Sequence, residues 1–74
     1  MAKTEIIKLP AVITLSNTTR DRAIRFVPYR ENFTTVIAAG DSVQLEAQTA
    51  GQVLYYLAQA TDGLEVTQTA KSGD

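Results

Sequence analysis

The chain is 74 residues long, carries a net charge of −1, and contains 45% apolar side chains but no histidine, cysteine or tryptophan. The missing residue types exclude disulfides and thiolate zinc sites, and they remove the usual nucleophiles and near-neutral proton carriers, so we expect no enzyme, no metal and no cofactor. The slightly negative charge disfavours a general nucleic-acid or membrane-surface binder, which ordinarily needs a basic excess. One domain is all that such a length allows, and a core of this size rarely supplies more than roughly 3–5 kcal/mol. Association with a second copy or a larger assembly is the expected source of further stability.

No apolar run approaches the length of a membrane span, and Met1-Ala2-Lys3-Thr4-Glu5 lacks the apolar segment of a secretory signal, so a cytoplasmic origin is expected. From Glu5 to Leu15 the chain is apolar and is interrupted by Pro10, which breaks a helix and removes a ladder donor. That reads as two extended pieces, Ile6 to Leu9 and Ala11 to Ser16, or as one kinked edge strand. Asn17 to Arg22 is polar and reads as a loop. In Ala23 to Tyr29, Ile24 and Phe26 alternate with Arg25 and Val27, and Pro28 marks an edge position or the end of pairing. Arg30-Glu31-Asn32 turns the chain into Phe33 to Ile37, which is rich in strand formers. Gly40 suits a turn at Ala38 to Asp41, and Ser42 to Ala47 places Val43, Leu45 and Ala47 on one face of a strand.

Thr49 to Gly63 supports two readings. As a helix of about residues 50–61, it gathers Val53, Leu54, Leu57, Ala58 and Thr61 on one stripe, opposite Gln52, Tyr55, Tyr56 and Gln59. Thr49-Ala50-Gly51-Gln52 matches a capping box, and Gly63 can close the C-terminus. Asp62-Gly63 is equally a two-residue hairpin signal. The helix sorts polar from apolar better and is preferred. Leu64 to Thr69 completes the pattern as a strand with Leu64 and Val66 inward. The whole predicts a mainly β fold, a small antiparallel β-sandwich or barrel of about five to six strands with one short helix. An extended arm over residues 1–10 precedes one domain over 11–70, and 71–74 form a mobile tail.

Arg20, Arg22, Arg25 and Arg30 are the strongest charge feature. Arginine forks suit carboxylate and phosphate, so the cluster is either a docking surface for an acidic protein patch or nucleic-acid backbone, or a solvated edge partly neutralised by Asp21 and Glu31. Phe26, Tyr29 and Phe33 lie in strand patterns that suit core packing as readily as base stacking. Tyr55 and Tyr56, on the polar side of the helix, could present rings to a partner, with at least one of them capping the core. Asp41, Glu46, Asp62 and Glu65 lack the spacing of a calcium loop and suit turns and surface.

An extended arm leading into a cysteine-free domain rich in Thr, Val and Gln, with the phrase Ile37-Ala38-Ala39-Gly40-Asp41-Ser42-Val43-Gln44-Leu45, resembles the small accessory capsid proteins of tailed bacteriophages, the head decoration or cement type. The resemblance implies a structural virion protein that forms homo-oligomers, often trimers, and binds a capsid shell through many weak contacts. The expected partner-binding set joins the arm residues Ile6, Ile7, Leu9 and Val12 to the four arginines and the tyrosine pair. The alternative is a small β-barrel that binds nucleic acid through Arg20 to Arg30.

Overall fold

The alternation of Ala11, Ile13, Leu15 and Asn17 with Val12, Thr14 and Ser16 forms the central strand of the computed structural model, which describes residues 8–71. This strand, β1 (Ala11–Asn17), is followed by β2 (Ile24–Phe26), β3 (Thr35–Ile37), β4 (Ser42–Ala47), the helix α1 (Ala50–Leu57) and β5 (Leu64–Ala70). The fold is mainly β, with one short helix and two antiparallel sheets. The larger sheet runs β4-β1-β5 and the smaller is the β2-β3 hairpin. They do not close into a barrel. β1 is therefore central, and the single-edge-strand reading of this segment is corrected. Pro10 stands just before β1 and joins the ladder through its carbonyl alone, which accepts the Lys71 N–H at 3.1 Å, so its missing donor falls at the last pair of the β1–β5 ladder. Of the expected extended piece Ile6 to Leu9, Ile6 and Ile7 lie outside the described residues, as do the rest of the arm before them and residues 72–74, while Lys8 and Leu9 are described outside any strand.

Register fixes which face is buried. Ile13 stands opposite Leu45 on one side and Gln68 on the other, and Leu15 stands between Val43 and Val66. These residues share the inner face, while Thr14, Gln44 and Thr67 share the outer one. Ala11, Ile13, Leu15 and Ala47 from the large sheet join Phe26 and Ile37 from the hairpin, Val53 and Tyr56 from α1, and Leu64 in one core.

The two signals at residues 49–63 are both realised, one after the other. Thr49 caps α1: its hydroxyl accepts the Gln52 N–H, and the Gln52 side chain accepts the Thr49 N–H. The helix ends at Leu57 rather than near 61, because the N–H groups of Gln59 and Ala60 turn to carbonyls three residues back. Asp62-Gly63 then forms a two-residue turn between Thr61 and Leu64, which exchange both backbone hydrogen bonds, with Gly63 at φ 92°. Gly63 thus serves this turn and not the helix terminus.

The helix is also rotated from the expected stripe. Val53 and Tyr56 are buried, whereas Leu54 is 48% exposed and Ala58 and Thr61 are exposed. Scoring tyrosine as polar misplaces the stripe. Its ring can be buried wherever its hydroxyl finds a partner, and here a neighbouring loop supplies one.

Candidate functional site

The loop and hairpin between β1 and β4 carry the arginines. β1 ends on Asn17, which is 2% exposed and fully engaged. Its Nδ2 donates to the carbonyls of Arg22 and Ile37, each at 2.8 Å, and its Oδ1 accepts from the N–H and hydroxyl of Thr19 at 2.9 and 2.6 Å. A buried carboxamide satisfied in this way fixes the path of the chain from β1 into the hairpin.

Within the hairpin, Ile24 pairs with Ile37, Arg25 with Val36, and Phe26 with Thr35. Phe26 and Ile37 are buried and Ile24 is half-buried, so Arg25 and Val36, one residue out of phase, point away from the core. Val36 is 53% exposed, Phe33 is 52% exposed, and Val27 is also exposed. The outside of the hairpin therefore sets an exposed valine opposite a guanidinium. Pro28 is buried at the point where pairing has stopped, and a turn follows in which the Glu31 N–H donates to the Pro28 carbonyl and Arg30 takes φ 62°.

The tyrosines hold this hairpin loop. Tyr55 donates its hydroxyl to the Val27 carbonyl, and the Tyr56 hydroxyl accepts the Tyr29 N–H at 2.8 Å. Phe26, Tyr56, Tyr55 and Tyr29 form a run of edge-to-face contacts with centroids 6.4, 5.2 and 5.4 Å apart. Tyr56 is only 4% exposed, so its ring belongs to the core and is withdrawn from the partner-facing set. Tyr55 is half-buried in the same cluster.

Arg20, Arg22, Arg25 and Arg30 are all exposed. Arg22 reaches the Asp62 carbonyl at 3.4 Å, and none of the four has an ion pair among the described residues. Asp21 and Glu31 therefore do not neutralise them by contact. Arg25 and Arg30 lie on the hairpin, while Arg20 and Arg22 lie on the loop before it. Val12 is half-buried on the outer face of the large sheet, remote in register from the hairpin, and Leu9 is exposed before β1. Ile6 and Ile7 lie outside the described residues.

The exposed position of Val36 has no signal in the sequence, whereas Val27 shares its alternation with Arg25 and Phe33 is already a candidate stacking ring. Thr34-Thr35-Val36-Ile37 has no polar alternation, so it does not declare which side faces out. The pairing of Arg25 with Val36 is the missing signal, and it depends on register.

Two open depressions, of about 210 and 360 Å³, lie on the large sheet around Val12, Glu46 and Lys71, and beside the Thr61–Leu64 turn. Among the described residues no group of three or more Asp or Glu side chains is placed to hold a metal ion, and no helix is long and apolar enough to cross a membrane. Compared with protein-family models, with curated proteins and with solved structures, the chain matches none.

Proposed function

We propose that this chain is a non-enzymatic assembly protein that self-associates and docks on a larger particle. The observation that carries this reading is the outside of the hairpin, where Val36 is more than half exposed opposite Arg25, which has no ion pair among the described residues. Exposed apolar surface marks interaction sites, and arginine is enriched in protein interfaces. The two sheets around one core are read as a small β-sandwich. With the resemblance in the Ile37 to Leu45 phrase, the particle is read as a phage head, the oligomer as a trimer and the chain's location as the virion. Solution mass tests the assembly reading: the wild-type chain should grow heavier than a monomer between micromolar and millimolar concentration, and Phe33→Ser with Val36→Ser should remain monomeric. A wild-type chain that stays monomeric throughout overturns it.

A second reading has its own support. Arg20, Arg25 and Arg30 are exposed without acidic partners among the described residues, and Phe33 offers a ring near them in sequence. A single strand of DNA or RNA could be held by phosphate contacts and stacking. Retention on single-stranded DNA that falls with salt, and falls further in Arg25→Ala and Arg30→Ala, supports this reading. No retention at low salt removes it.

A further inference from the structure

Charge is divided along this chain. Between Arg20 and Glu31 four arginines stand against two acids, and from Asp41 to Lys71 four acids stand against one lysine. The fold keeps that division in space at Arg25 and not at Arg22, which lies against the Asp62–Gly63 turn that leads into Glu65. Arg25 points away from the core on the hairpin, as does its neighbour Val36. On the large sheet, Ser16 stands between Ser42 and Glu65, so Glu65 and Asp41, which precedes Ser42, lie at one end of the sheet, about two strand spacings or roughly 10 Å apart. Lys71 is at the other end, held 2.7 Å from Glu46. Asp41 and Glu65 are exposed and have no cationic partner among the described residues.

We infer that the hairpin face around Arg25 and Val36 docks on the Asp41 and Glu65 end of the large sheet of a second copy, head to tail. This rests on the assembly reading above and names its surface. Pairing the hairpin face with itself would set guanidiniums against their own copies, which costs free energy, whereas pairing it with the acidic end matches unlike charges and covers Val36. The association is heterologous, so each copy has one face of each kind. Three copies close into a ring if the rotation between neighbours allows it.

Two variants carrying opposite defects test this. Arg25→Glu with Val36→Glu spoils only the hairpin face, and Asp41→Lys with Glu65→Lys spoils only the acidic end. Sedimentation should find each variant monomeric where the wild type is oligomeric. An equimolar mixture should yield a dimer and nothing larger, because one intact face of each kind remains. All four positions are exposed; if a variant melts early, Arg25→Gln and Glu65→Gln replace the reversals, and each should weaken association. Wild-type mass retained by either variant, or a mixture that stays monomeric, overturns the head-to-tail inference alone. A wild-type chain that never exceeds monomer mass overturns the assembly reading beneath it.

Discussion

The hydroxyl oxygen of Tyr56 accepts the backbone N–H of Tyr29 at 2.8 Å, which ties the buried face of α1 to the loop that carries the hairpin's exposed side chains. Because the ring is 4% exposed, removing the oxygen leaves a partly buried N–H without its partner while preserving the packing. Tyr56→Phe should therefore cost about 1–2 kcal/mol in urea unfolding. Tyr55→Phe should cost less, because the Val27 carbonyl it releases is at an exposed residue and can take up water.

Asn17 should be the least replaceable polar residue of the described chain. Asn17→Ala abandons two carbonyls and the Thr19 N–H and hydroxyl at a buried site, for an expected loss of about 2–4 kcal/mol. Thr19→Val keeps the amide bond to the Asn17 side chain and removes only the hydroxyl, so roughly 1 kcal/mol is expected. Denaturant midpoints of the two variants check the order. Equal losses would mean that Asn17 does not organise the exit from β1.

Three glycines separate conformational strain from crowding. Gly40 has φ 81° with nothing near an added Cβ, so Gly40→Ala should cost about 1–2 kcal/mol, the left-handed penalty alone. At Gly63, φ 92° is joined by a Cβ position 2.7 Å from Thr19 Cγ2 and 3.1 Å from Arg22 Nη2, so Gly63→Ala should cost more than Gly40→Ala. Gly51 lies inside α1, and an added Cβ would meet the Tyr29 hydroxyl at 3.7 Å, an ordinary contact. Gly51→Ala should stabilise by about 0.5–1 kcal/mol. Thermal melts of the three variants test the ranking.

Local chemistry was legible where a single strand or turn carries its own pattern. Ser42 to Ala47 and the Thr49 to Gln52 cap needed no neighbours to be read, and both stand where they were expected. What depended on partners was not legible. The central position of β1 follows from β4 and β5 flanking it, and nothing within Ala11 to Ser16 announces that. The outward position of Val36 required the Arg25–Val36 register, so Arg25 and Val27 were legible from their own alternation while Val36 was not. That one tyrosine caps the core is legible in the sequence, but that it is Tyr56 is not, because its hydroxyl counts as polar until the Tyr29 N–H is brought beside it from 27 residues away.

The rotation of α1 gives a sharp contrast between adjacent residues. Val53 is fully buried, and its neighbour Leu54, larger and equally apolar, is 48% exposed. The expected stripe put both inside, and a helix packed that way would lose stability at either position. With the observed phase, Val53→Ala opens a cavity in the core shared with Ile13 and Leu15, at an expected cost of about 2 kcal/mol. Leu54→Gln exchanges a solvent-facing side chain for another good helix former and should stay within about 0.5 kcal/mol of wild type. Urea titrations of the two variants decide it. A loss at Leu54 as large as that at Val53 would restore the original stripe, and would turn Tyr56 back toward solvent.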